Sequence, residues 1–218
     1  MNSPLIQLLV LAGIAVFLIL RLKSVLGTRE GFEKPPVPTS SNKAARPDFE
    51  VIEGGPDRDI TDYVDEDSPQ ALELAAMKRI EPAFSVGEFV QGARGAYEMI
   101  VMGFERGDLD EIQPFLSEEV FETFVDVVSA REDQGLKIEA EFVGVRETAL
   151  QDVRFDKDTN LAEITMRFVG ELTSVVRDKG GDIVEGSPTA VKRQKDTWVF
   201  ARTMGSNDPN WLLVSTDA

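Results

Sequence analysis

The stretch Ser85–Asp108, SVGEFVQGARGAYEMIVMGFERGD, decides the fold. At helical period Phe89, Ala93, Ala96, Ile100 and Phe104 line one face, with Val86, Val90, Tyr97 and Val101 beside them. Gln91, Arg94, Glu98 and Glu105 take the remaining stripe. An apolar arc this wide predicts a central helix covered on more than one side. Gly92, Gly95 and Gly103 each cost about 1 kcal/mol of helix propensity relative to Ala, which points to close approach by another backbone or a large side chain. The first role of such a helix is core packing. A sharper reading makes it one wall of a ligand or peptide pocket.

Upstream, Ser68 as N-cap and Pro69 at the first position open another helix, with Leu72, Ala75, Ala76 and Ile80 as its apolar face, ending before Pro82. Downstream, Gly107-Asp108 breaks the central helix and Leu109–Leu116 forms a short helix or turn. Ser117 caps the next helix, with Glu118 and Glu119 at its positive end and Phe121, Phe124 and Val128 as its core stripe; Gly135 closes it. The period then changes to two. Ile138, Ala140 and Phe142 share a face of the first strand. Ala162, Ile164, Met166, Phe168 and Leu172 alternate with polar residues in the clearest strand of the chain. Asp156–Asn160 and Lys179–Asp182 read as turns. Thr189–Gln194 and Thr197–Thr203 are expected to pair as a hairpin around Lys195-Asp196, and Trp211–Ser215 to form a last strand. Helices followed by strands imply an α+β domain, with helices on one face of an antiparallel sheet.

The chain has 218 residues, no cysteine and no histidine. Disulfides, thiol chemistry and every Ser-His or Cys-His catalytic arrangement are excluded, and no cofactor or metal site is expected. The net charge of −16 argues against nucleic acid as a partner. The charge is unevenly placed: +4 from Met1 to Pro47, −8 from Asp48 to Ala83 and −12 thereafter. Three regimes suggest three segments: residues 1–26, 27–67 and 68–218.

Leu5–Leu20, LIQLLVLAGIAVFLIL, carries no charge. At 1.5 Å per residue it spans about 24 Å, and the stems of Arg21 and Lys23 extend it toward the ~30 Å of a hydrocarbon core. Leu5, Leu9, Ile14, Phe17 and Leu20 are its anchoring side chains, with Arg21 and Lys23 as the collar. A cleavable signal would need a basic leader and a small-residue cleavage site, and neither is present. The reading is a retained single-pass anchor. Basic residues follow the span and none precedes it, so the positive-inside rule puts the amino terminus outside and the soluble domain in the cytoplasm. Residues 27–67 hold Pro35-Pro36-Val37-Pro38, Gly54-Gly55-Pro56 and an acidic run, and read as a disordered linker.

The order Phe84-Ser85, Phe89-x-x-Gly92-Ala93-x-x-Ala96-Tyr97-Glu98-x-Ile100, Gly107-Asp108, Ile164–Phe168, Trp198–Arg202 and Asp208-Pro209-Asn210-Trp211-x-Leu213 resembles the Tim44-like domain family. The resemblance covers roughly Ser68–Ala218. The anchor followed by RLKSVLG also resembles the bacterial inner-membrane members. The resemblance implies a cone of the nuclear-transport-factor-two-like type, whose helices and curved sheet enclose an apolar pocket. It further implies a non-catalytic adaptor holding chaperone or translocase partners at an inner membrane. Binding to acidic lipid headgroups is not carried over to a domain of charge −12.

Tyr97, Phe124, Phe142, Phe168, Trp198, Phe200 and Trp211 are the candidate pocket residues, for a lipid or hydrophobic peptide; their plain reading is core. Arg167 and Arg202 fall on strands and need carboxylate partners if covered, with Glu98, Glu141 or Glu171 as candidates. Three functions compete. The first is a membrane-tethered adaptor. The second is a hydrophobic-ligand carrier. The third is an isomerase-like enzyme using Tyr97 with Glu98, Glu139, Glu141, Asp152, Glu163 or Glu171. Homo-oligomerisation is left open.

Overall fold

A computed structural model describes residues 55–217. The anchor with Leu5, Leu9, Ile14, Phe17, Leu20, Arg21 and Lys23 lies outside the described residues. Among the described residues no helix is long and apolar enough to cross a membrane.

The elements run α1 (Arg58–Thr61), α2 (Pro69–Ile80), α3 (Val86–Arg106), α4 (Leu109–Ile112), a 3-10 turn (Gln113–Phe115) and α5 (Glu118–Asp133). Four strands follow: β1 (Lys137–Asp156), β2 (Leu161–Arg177), β3 (Ile183–Thr203) and β4 (Leu212–Asp217). The strands form one antiparallel meander in chain order. The fold is α+β. From Ala162 to Phe168 the even-numbered residues of β2 face the helices, so Ala162, Ile164, Met166 and Phe168 are each 0% exposed. Helices α2 and α3 pack on β1, and α5 on β4. The register of β1 against β2 slips at Phe142/Gly144, Val145/Glu147 and Leu150/Asp152. Each bulge bends the strand and raises its twist, which curves the sheet around α3.

The helix ends follow their local chemistry. Ser68, Ser85 and Ser117 each accept a backbone N–H of the first turn. Gly107, at φ 79°, closes α3 in a left-handed conformation that costs other residues more. Val86, Phe89, Ala93, Tyr97, Ile100 and Val101 are buried on α3 as its periodicity requires.

Four expectations are corrected. The acidic run is not all linker: α1 lies within Asp57–Asp67, buries Ile60, and carries an Asp59 that caps α3. On α2 the buried residues are Ala71, Leu74, Ala76 and Met77, while Leu72 and Ile80 are exposed. Leu72, Leu74, Met77 and Ile80 are spread around α2, so packing partners and not periodicity select its face. Of Gly92, Gly95 and Gly103, only Gly103 is closely packed: a Cβ there would meet Ile112 Cγ2 at 2.6 Å, whereas Gly92 and Gly95 have open space. Lastly, Lys195-Asp196 is not a turn, because β3 runs unbroken through it. Asp is a turn residue, but here Lys195 and Asp196 stay paired with Val169 and Phe168 of β2, and the Asp196 side chain is bonded inward.

β4 covers β3 only between Thr197 and Ala201. The outer edge of β3 before Thr197 carries Pro188, Lys192, Arg193 and Lys195, residues that discourage edge-to-edge pairing. The sheet face away from the helices is laced with ion pairs. Arg167 meets Glu147, Arg177 meets Glu139 at 3.0 Å, and Glu171 accepts from Arg146 and Arg193 at 3.0 Å each. Glu171 is held below the usual carboxylate range by those two arginines.

Candidate functional site

The site grows from the face that α3 and β3 share. On β3, Gln194, Asp196, Trp198, Phe200 and Arg202 alternate onto the helix side. On α3, Tyr97 sits at the middle of the core stripe, 0% exposed, with its ring stacked on Phe168 at 4.5 Å between centroids. It fits because β2 has Gly170 beneath it, where a Cβ would come within 2.5 Å of the Tyr97 hydroxyl oxygen. Trp198 touches Tyr97 at 4.8 Å, Phe142 lies 6.2 Å away, and Phe200, Phe89 and Trp211 continue the chain of rings at 6.1 and 4.7 Å.

This aromatic wall separates two cavities of about 370 Å³ each. The first lies along the N-terminal half of α3, between Phe84, Phe89, Phe115, Phe200 and Trp211. Its polar element is Arg202. The guanidinium donates to Glu81 and to the Pro209 carbonyl at 3.1 Å, and lies 5.4 Å from the Trp211 ring. The Arg202 side chain is 9% exposed and its Nε has no partner among the described residues. Burial pushes the Glu81 carboxyl up, but the Gly205 N–H and Arg202 together hold it below its ordinary value.

The second cavity lies along the C-terminal half of α3, where Phe124 of α5 and the end of β4 meet Trp198. Its polar element is Asp196, which accepts from the Tyr97 hydroxyl and from Gln194 Nε2 at 2.9 Å. Taking a carboxylate out of water costs several kcal/mol. Hydrogen bonds to a charged group return about 1.5–3 kcal/mol each, so two donors offset much of it. Burial first, then the bond to Asp196, raises the Tyr97 hydroxyl well above its usual range and keeps it protonated.

The seven candidate aromatics therefore divide. Phe200 and Trp211 line the first cavity, and Phe124 and Trp198 line the second. Tyr97, Phe142 and Phe168 belong to the packed wall between them. Arg167 and Arg202 take ion-pair partners as expected, but these are Glu147 and Glu81, not Glu98, Glu141 or Glu171. None of the acids considered beside Tyr97 reaches it; Asp196 does. Running the alternation of Trp198 and Phe200 two and four residues back would have placed Asp196 and Gln194 on the buried face. Glu81 carried no such signal, since it follows the end of α2 and meets Arg202 only in three dimensions. Among the described residues no group of His, Cys, Asp and Glu is arranged to hold a metal ion.

A profile of the Tim44-like domain matches residues 70–218, about two thirds of the sequence. The chain belongs to the Tim44-like domain family. The match covers α2 through β4 and thus both cavities. The human mitochondrial import inner membrane translocase subunit TIM44 is 23% identical over 148 residues, which are 66% of this chain and 32% of the human protein. The Tim44-like chain thus spans about a third of that relative's length. The intermembrane space region of the chloroplast protein ARC6 superposes with a TM-score of 0.41 at 11% identity, over 59% of this chain and 94% of that one.

Proposed function

We propose that this Tim44-like protein is a membrane-tethered, non-catalytic adaptor that gathers chaperone- or translocase-type proteins at the cytoplasmic face of an inner membrane. Protein translocation and membrane-protein quality control are the settings that fit. The observation that carries the reading is family membership across residues 70–218, beside 23% identity over 148 residues to a translocase subunit. The uncharged run Leu5–Leu20 followed by Arg21 and Lys23 supports the tether and its orientation. Helices laid over a bulged, curving sheet are read as the nuclear-transport-factor-two-like cone. A non-catalytic role is supported by the position of Tyr97, which lines neither cavity and has its hydroxyl engaged by Asp196.

Affinity capture of the full chain from detergent-solubilised membranes tests the adaptor. Stoichiometric protein partners are expected, and a partner-free capture overturns it. A reporter fused after Ala218 is expected to signal from the cytoplasm, and an extracytoplasmic signal reverses the orientation.

A hydrophobic-ligand carrier is the second reading, favoured by the apolar cavity between Phe84, Phe89 and Trp211. Native mass spectrometry of the full chain would then show a co-purifying lipid or peptide. An empty protein removes that reading.

A further inference from the structure

We propose that the cavity along the C-terminal half of α3 binds a small organic ammonium ion carrying an apolar arm. Its lining selects the class. Glu105, Asp196 and Asp217 contribute three carboxylates, Phe104, Phe124 and Trp198 contribute three aromatic rings, and no lysine or arginine lines it. Carboxylates stabilise an ammonium through its charge, and ring faces through their quadrupoles. Phe104 already shows that affinity, because the Arg131 guanidinium stacks 4.5 Å from its centroid without lining the cavity.

Asp196 is the decisive residue. It is 8% exposed, and among the described residues it forms no ion pair. Both of its hydrogen bonds end on Oδ2, and Oδ1 receives none among the described residues. A carboxylate this deeply covered normally faces a cation. Here the donors are a hydroxyl and an amide, both neutral, and a cavity wall takes the place of the cation. An ammonium entering from the cavity completes the pairing. A carboxylate ligand would meet three like charges, and a neutral apolar ligand would bring Asp196 no counter-charge. The volume of about 370 Å³ falls at the lower end of small-ligand sites, which suits a quaternary ammonium with a short alkyl arm. The inference stands apart from the adaptor reading, since a partner-binding domain can carry this site or lack it.

The test uses the full chain in a non-ionic maltoside detergent, with Trp211→Phe leaving Trp198 as the one tryptophan. Fluorescence of Trp198 is titrated with butyltrimethylammonium, butyrate and butanol, and with choline and dihexanoylphosphatidylcholine, which carry the ammonium free and on a lipid. Saturable binding of butyltrimethylammonium is expected, with butyrate and butanol at least tenfold weaker. Asp196→Asn is expected to weaken the ammonium at least tenfold while lowering the melting temperature by no more than about 4 °C. Glu105→Gln, at a partly exposed position, is expected to weaken it several-fold and serves if the Asp196 variant does not fold. Binding of choline or of the lipid that shares this Asp196 or Glu105 dependence supports the site and identifies the source. Equal binding of butyrate or butanol, absence of ammonium binding, or indifference to both substitutions overturns the proposal.

Discussion

The two cavities have the same volume and share α3, yet they are opposite in charge design. In the first, a buried guanidinium and a carboxylate neutralise one another, joined by the Pro209 carbonyl and the Gly205 N–H, and only Arg202 Nε is left without a partner among the described residues. In the second, a buried carboxylate is supported by neutral donors alone. The difference teaches that cavity size says little about role. A neutralised polar element ties β3 to the end of α2 and steadies the walls. A polar element without its counter-charge leaves binding capacity unspent.

The comparison breaks most completely at the wall itself. Tyr97→Ala removes the ring stacked on Phe168 and one of the two donors to Asp196, and should cost about 3–5 kcal/mol in urea unfolding. A loss near 1 kcal/mol would mean that the wall does not organise the two halves. Next, Arg202→Met strands Glu81 in a largely covered position and should cost roughly 2–3 kcal/mol. Asp196→Asn removes a charge that has no cationic partner, so its cost should stay within about 1 kcal/mol. If Asp196→Asn proves the more damaging of the two, the contrast between the cavities fails.

Between these in size lies an acid effect outside both cavities. Burial pushes Asp59 up, but Lys78, the N–H groups of Gly87 and Val86 and the Ser85 hydroxyl bring it from 3.8 to about 2. A carboxylate depressed in the folded state stabilises above its unfolded value, and that stability disappears as the pH falls from about 4 through 2. The amount is roughly 2 kcal/mol. Denaturant midpoints of the wild type should fall over that window relative to Asp59→Asn, and parallel curves would contradict the assignment. The smallest effect belongs to the solvent face of the sheet. Arg167→Ala, which deletes a partner of Glu147, should change stability by less than about 1 kcal/mol.

The strongest periodicities were legible from the chain alone. The α3 stripe, the three serine caps and the β2 alternation all carry local signals, and they suffice for an α+β layer with helices over a meander. What escaped depends on contacts between distant residues. Asp59 looks like one acid in an acidic run, and only the N-terminus of α3 gives it a purpose. Leu72 and Leu74 are equivalent by composition, and only the position of β1 buries one and exposes the other. Asp196 is the instructive miss, because two adjacent charged residues read as a turn when strand alternation is stopped at Trp198 instead of being continued through it. The division of Phe200 and Trp211 from Phe124 and Trp198 was likewise unreadable, since it depends on Tyr97 standing between them.

The Asp59 cluster also sets how the domain answers a pull. Tension entering along the backbone from the N-terminal side reaches α1 before any larger element. There it meets the bonds from Val86 and Gly87 to Asp59, at 2.7 and 2.9 Å, and the Lys78 bridges to Asp57 and Asp59, at 2.7 and 2.8 Å. The load passes directly into α3, the longest helix of the described domain, and into α2 through Lys78, so it is borne by the core instead of peeling elements off one by one. In single-molecule stretching from the N-terminal side, Asp59→Ala should lower the rupture force, and the first extension step should shorten to the release of α1.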